Sequence, residues 1–138
     1  MMPHLEGLDH IHIFVVNRLL AEAWYARVLG LQRTPELAGS ISERGPLTIG
    51  NPSGTVHLAL FERPAEQCRS VVAFRATAME FLAWQSHLSL VLGYKIDAVD
   101  HEFSWSLYFT DPDGNPFEIT SYEHQIIADE LAKSGIGS

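Results

Sequence analysis

The chain repeats its own punctuation, and that repetition narrows the folds open to it. Leu47-Thr48-Ile49-Gly50-Asn51-Pro52-Ser53-Gly54 and Leu107-Tyr108-Phe109-Thr110-Asp111-Pro112-Asp113-Gly114 share a Leu-x-x-x-Asn/Asp-Pro-x-Gly frame. Upstream, Val28-Leu29-Gly30-Leu31 is matched by Val91-Leu92-Gly93-Tyr94. In both, the glycine suits the left-handed residue that ends a helix. Asn17 is placed to cap the first helix, and Thr77 with Glu80 three residues on has capping-box spacing for the second. Between cap and glycine, Leu20, Trp24, Val28 and Leu31 recur at helical spacing, as do Phe81, Trp84, Leu88 and Leu92. Both stripes are expected to face the core.

A strand is predicted before each helix, over residues 9–16 and 69–75. Three follow each: 31–37, 45–49 and 56–62 in the first half, 95–99, 104–109 and 117–122 in the second. The reading is a single α+β domain, residues 1–138, made of tandem βαβββ modules over about 8–62 and 69–122. Residues 64–68 form the linker. The C-terminal tail, 123–138, carries Ile126, Ile127, Ala128 and Leu131, the pattern of a short amphipathic helix ahead of a frayed end at 134–138.

Composition excludes several partners. A net charge of -8 with Lys+Arg 9 opposes binding to nucleic acid or an anionic membrane surface, since both require a positive field. At 138 residues and 46% hydrophobic the chain can bury a core without staples, and Cys68 alone cannot form an intrachain disulfide. There is no membrane-spanning apolar run and no signal-peptide pattern, so a soluble, cytoplasmic protein with a small-molecule partner is expected.

Strand alternation then sorts the polar residues. In the hairpin 104–122, Phe117 and Ile119 share one face, and Glu118, Thr120 and Tyr122 the other. A carboxylate on a sheet face is conspicuous, because desolvated carboxylates are paired or bound to metal. In the first strand Ile11, Ile13 and Val15 oppose His10, His12 and Phe14; in the fourth, Leu58 and Leu60 oppose His57, Ala59 and Phe61. His57 stands three residues after Gly54 whereas Glu118 stands four after Gly114, so an ungapped repeat would match Glu118 to Leu58. Alternation is preferred to the count, with a one-residue bulge as the adjustment.

The duplication, the Val-Leu-Gly helix ends, Leu8-Asp9-His10-Ile11 at the start and Asp111-Pro112-Asp113-Gly114-Asn115-Pro116-Phe117-Glu118-Ile119 at the close resemble the vicinal oxygen chelate superfamily. That superfamily includes glyoxalase I, bleomycin and fosfomycin resistance proteins and type I extradiol dioxygenases. The resemblance runs from about Leu8 to Tyr122. It implies a paired β-cup fold with a divalent metal held from the first, fourth, fifth and eighth strands. On this basis His10 resembles the first ligand and Glu118 the last, with His57 as a second imidazole. The fifth strand departs from the pattern, having Ser70, Val71 and Val72 where a histidine is expected. Two imidazoles and a carboxylate favour Fe(II) or Mn(II) and allow Zn(II) or Ni(II).

Around such a metal, His12 is expected about 7 Å along the strand from His10 as an acid or base. His101 resembles the acid/base of extradiol enzymes, and Tyr108 and Tyr122 are hydrogen-bond donors for an oxyanion. His4, His87 and His124 read as surface residues. Three functions compete: an extradiol-dioxygenase-like oxidoreductase acting on a catechol-type substrate, which the approach His101–Tyr108 favours; a glyoxalase-like lyase; and a protein that sequesters an aromatic ligand or antibiotic. The superfamily and an apolar patch expected at Trp105 together imply a homodimer.

Overall fold

The structure, a computed structural model, describes residues 1–33, 46–63 and 66–134. The chain divides into two compact units, Met1–Cys68 and Arg69–Ser138. The first contains β1 (Ile11–Val15), α1 (Arg18–Leu29), β2 (Gln32–Arg33), β3 (Leu47–Gly50) and β4 (His57–Glu62). The second contains β5 (Val72–Arg75), α2 (Ala78–Leu92), β6 (Val99–Asp100), β7 (Trp105–Thr110), β8 (Pro116–Ser121) and α3 (His124–Lys133). Their sheets have the same topology, β1-β4-β3-β2 and β5-β8-β7-β6. In each the first strand lies parallel to the last, and the other pairs are antiparallel. The α+β reading and the twofold βαβββ order therefore stand, with α3 added at the end.

The caps act where the sequence places them. Asn17 Oδ1 accepts from the Leu20 amide at 2.9 Å, and Thr77 Oγ1 from the Glu80 amide at 3.3 Å. Gly30 and Gly93 end their helices at φ 71° and 81°, a conformation that a side chain disfavours. Strand boundaries are tighter than expected. β1 begins at Ile11, β5 at Val72, and the sixth strand is Val99–Asp100, not 95–99. The strand predicted over 31–37 is observed as Gln32–Arg33, with Leu31 before it and 34–37 outside the described residues, as are 64–65 of the linker and 135–138 of the tail.

The α1 stripe needs a correction. Leu20 is 73% exposed, and the buried face is Ala21, Trp24, Tyr25, Val28 and Leu29. Leu20 sits in the first turn, its amide tied to the Asn17 cap, whereas the small Ala21 and fully buried Tyr25 form the inward row one position later. In α2, Phe81 and Leu88 are fully buried, while Trp84 and Leu92 lie at the margin. Among the described residues no helix is long and apolar enough to cross a membrane.

Two corrections concern unit 2. His124 is not a bare surface residue, and Trp105 does not present an uncovered patch. The two rings stack at 5.4 Å, and Trp105 Nε1 donates to the His124 carbonyl at 3.1 Å. His124 Nε2 lies 2.7 Å from Asp100 Oδ1, and that same oxygen accepts from the Glu102 amide at 2.8 Å. At the start of α2, Glu123 Oε1 accepts from the Ala78 amide at 2.8 Å, so the residue before α3 also caps α2.

The repeated turns differ in length by one residue. Asn51 N bonds the Val56 carbonyl, whereas Asp111 N bonds the Asn115 carbonyl. In the shorter turn the buried Asp111 is saturated: Oδ1 accepts from the amides of Asp113 and Asn115, both at 2.9 Å, and Oδ2 from Asn115 Nδ2 at 2.8 Å. Asn51 Oδ1 accepts from the Thr55 and Val56 amides, in a more exposed setting. Removing a buried acceptor strands its donors at about 1–3 kcal/mol each. Urea unfolding of Asp111→Ala is therefore expected to show a loss of at least about 2 kcal/mol, and Asn51→Ala a smaller one.

Asp100 gives a pH signature. Its carboxyl is held below the ordinary value chiefly by the hydrogen bond to His124, then by the Glu102 amide. A depressed carboxyl stabilises the fold above the ordinary aspartate range, near pH ~4, and that contribution is lost as pH falls through the lowered value. Thermal unfolding between pH 7 and 2.5 is expected to separate Asp100→Asn from the parent above that range, with the two curves converging at the acid end.

Candidate functional site

Burial marks which face of each sheet is free for chemistry. In unit 1, Ile13, Val15, Leu47, Ile49, Leu58 and Leu60 are at most 1% exposed. The opposite face therefore carries His10, His12 and Phe14 from the first strand and its approach, Thr48 from β3, and His57, Ala59 and Phe61 from β4. In unit 2, Leu107, Phe109, Phe117 and Ile119 are buried, so Ser106, Tyr108, Glu118 and Thr120 share the other face, with Ala73 and Arg75 of β5.

Glu118 is half-buried and held on one side. Ser106 Oγ donates to its Oε2 at 2.7 Å, the short length of a charge-assisted bond. Its Oε1 has no hydrogen-bond partner among the described residues. Tyr108 lies level with it on β7, and the Tyr108 hydroxyl meets His101 Nε2 at 2.9 Å. His101 is carried on the short loop between β6 and β7. That loop is closed by a bond from the His101 amide to the Ser104 carbonyl, with Glu102 at φ 73°. His101 and Tyr108 are thus a hydrogen-bonded pair, both exposed.

In unit 1 the two first-strand histidines are close. Their Nε2 atoms are 3.1 Å apart and their rings stack at 5.0 Å, nearer than the strand rise of about 7 Å between alternate residues, because the side chains lean together. Asp9 Oδ2 lies 2.7 Å from His10 Nδ1, and the His12 ring rests on Phe61 at 4.5 Å. His12 is therefore engaged with His10.

His57 faces the open side, as alternation requires, but not at the level of Glu118. The longer first turn makes Ala59 its counterpart: His12 pairs with Ala59 and Thr48 with Ala59, as Ala73 pairs with Glu118 and Tyr108 with Glu118. His57 pairs with Gly50 and matches Pro116, which pairs with Thr110. On β5 the residue beside Glu118 is Ala73, so that strand supplies no ligand there. Tyr122 lies past β8, 63% exposed, with the Arg75 guanidinium 5.5 Å from its ring.

These groups set what a metal would meet. Within either unit no three His, Cys, Asp or Glu side chains converge among the described residues. Unit 1 instead offers a pair of imidazole nitrogens and unit 2 an unpartnered carboxylate oxygen. Both donor types suit a divalent first-row metal. Strand rise alone ignores side-chain lean, which brings the His12 ring to His10; the signal visible in the sequence is the Asp9-His10-Ile11-His12 alternation itself.

No family model matches the chain, and no curated protein matches it in sequence. Solved structures do. An integron cassette protein, HFX_CASS4, from the mobile metagenome of the Halifax Harbour sewage outfall is 22% identical, with 85% of this chain and 99% of that one covered and a TM-score of 0.70. A glyoxylase/bleomycin resistance protein/dioxygenase domain from Frankia sp. EAN1pec is 16% identical over 89% of this chain and 99% of that one, TM-score 0.68. The fosfomycin resistance protein FosX from Listeria monocytogenes, complexed with Mn(II) and sulfate, is 16% identical over 93% and 99%, TM-score 0.63. With its two β-α-β-β-β units in that order, the chain has the fold of the glyoxalase, bleomycin resistance and dioxygenase proteins of the vicinal oxygen chelate superfamily.

Proposed function

We propose that this protein is a divalent-metal-dependent enzyme acting on a small substrate with adjacent oxygens, with His10 and Glu118 among the metal ligands. The observation that carries the reading is Glu118: a half-buried carboxylate on an open sheet face, one oxygen fixed by Ser106 and the other without a partner among the described residues. FosX, of the same fold, binds Mn(II). When bound, such a metal polarises a substrate oxygen and stabilises charge that develops there. The chain's own residues do the rest. Ser106 orients Glu118, Asp9 orients His10, and the His101–Tyr108 pair is placed to accept a proton at Nε2 or donate one from the hydroxyl. His57 belongs to this reading only as an additional imidazole on the unit 1 face.

Fe(II) or Mn(II) with a catechol-type diol is the first chemistry to test, and Zn(II) or Ni(II) with a hemithioacetal the second. A non-enzymatic reading, capture of an aromatic ligand, is favoured by one feature: Val71, just before β5, and Ala73 within it occupy the positions from which a further ligand would come. The same protocol separates all three.

Elemental analysis of the protein is expected to find a divalent metal. His10→Ala and Glu118→Ala should each weaken metal binding at least tenfold in calorimetry, with an unchanged circular dichroism spectrum. Anaerobically Fe(II)-loaded protein given catechols and then air should consume O2 and form a yellow ring-opened product. His101→Ala should slow turnover far more than it weakens metal binding. Hemithioacetal isomerisation with Zn(II) or Ni(II), without oxygen uptake, would replace the dioxygenase chemistry by the glyoxalase one. An aromatic ligand bound by metal-free protein, with neither reaction, would leave the binding function.

A homodimer is part of this proposal. Large apolar side chains stand uncovered in both units, among them Val16, Leu19 and Leu20 in the first and Leu90, Tyr94 and Phe103 in the second. Light scattering at micromolar concentration should give twice the chain mass, and a monomer throughout ends that part of the reading.

A further inference from the structure

The first strand brings two imidazoles to one point. His10 Nε2 and His12 Nε2 are 3.1 Å apart, and both side chains are open to solvent. Asp9 Oδ2 sits 2.7 Å from His10 Nδ1. A carboxylate only accepts, so Nδ1 carries the proton and Nε2 presents its lone pair. His12 then donates its Nε2 proton to that lone pair. The His12 ring is itself braced by Phe61 at 4.5 Å.

This is the spacing of two donors on one cation. Imidazole nitrogens bound at about 2.0–2.1 Å, at angles between about 90° and 109°, stand about 2.8–3.4 Å from each other. A metal can therefore take the place of the bridging proton with little movement of either backbone. The balance is simple: the N–H bond at His12 Nε2 breaks, its proton passes through water to His12 Nδ1 so that the ring stays neutral, and two N–metal bonds form. An outer carboxylate on the first histidine is the usual arrangement for holding tautomer and ring orientation at a metal.

The repeat strengthens the assignment. His12 lies beside Ala59 as Ala73 lies beside Glu118, so His12 stands at the strand level where unit 2 carries its carboxylate. Two residues earlier, His10 matches Val71, whose side chain has no donor atom.

We propose that His10 and His12 together form a two-imidazole site for a divalent metal, with Asp9 as the positioning residue for His10. The inference rests on the proposed function in taking the chain to bind a metal. It replaces a proton-transfer role for His12 with ligation.

The test is Zn(II) titration of the parent chain, His10→Ala, His12→Ala, Asp9→Asn and Glu118→Ala by calorimetry, with nitrogen NMR of histidine-labelled parent protein. His12→Ala is expected to weaken Zn(II) at least tenfold, as His10→Ala does, and Asp9→Asn about 10- to 100-fold. In the parent, the Nε2 signals of both histidines should move to metal-bound positions over the same added equivalents. A parent spectrum in which His10 alone shifts, or a His12→Ala protein that binds Zn(II) as the parent does, overturns the pair. Loss of binding in His12→Ala but not in Glu118→Ala keeps the pair and removes Glu118 from the ligand set; the reverse keeps Glu118 and removes His12. A parent chain that takes up no Zn(II) overturns both.

Discussion

Parallel pairing of the first strand with the last is the constraint on which each half of this protein depends. It joins Ile11 to Leu58 and Val72 to Phe117 across the whole length of a unit. A parallel partner cannot be reached by a tight turn, so the intervening chain must pass through a helix and two further strands before the sheet can close. That passage fixes the register, and the register decides which side chains share a face. Shifted by one residue, β1 would bury His12 against α1 and expose Ile13. The apolar rows Ile13–Val15 and Leu58–Leu60 resist that slip, each residue being at most 1% exposed.

Much of this was legible because local signals agreed with the global arrangement. Caps, helix-ending glycines and Asn/Asp-Pro-x-Gly turns all repeat, and each forms the bond its chemistry calls for. The less legible parts depend on what lies across from a residue. Leu20 fits a helical stripe as well as Ala21 does, and only the sheet beneath α1 selects the row containing Tyr25. Residues 95–98 have strand-like composition in part, but pairing is available only at Val99 and Asp100, opposite Ser106 and Trp105. Likewise Trp105 looked uncovered until α3 delivered His124 to its face.

The face carrying the chemistry shows the same division. Alternation placed His10, His57 and Glu118 on open faces correctly, because the period of a strand is fixed by the pleat. The level along the strand was not readable, since it turns on whether the first loop closes at Val56 or one residue earlier, at Thr55, as an ungapped repeat of Asp111–Asn115 would have it. One extra residue in that loop moves His57 opposite Gly50 and leaves Ala59 in the place of Glu118. The halves share a common frame, with the imidazoles of His10, His12 and His57 in the first unit and the carboxylate of Glu118 in the second.

The shared carboxylate oxygen of Asp100 has a consequence for how the chain can be handled. It holds the His124 ring at the start of α3 and the Glu102 amide in the loop that presents His101. The last helix and the loop that carries His101 are therefore tethered through one side chain, although they are far apart in sequence. A cut before α3 or a bulky fusion pulling on it acts mechanically on that loop, and with it on the angle at which His101 meets the Tyr108 hydroxyl. Tags belong on this protein only where α3 stays seated against Trp105.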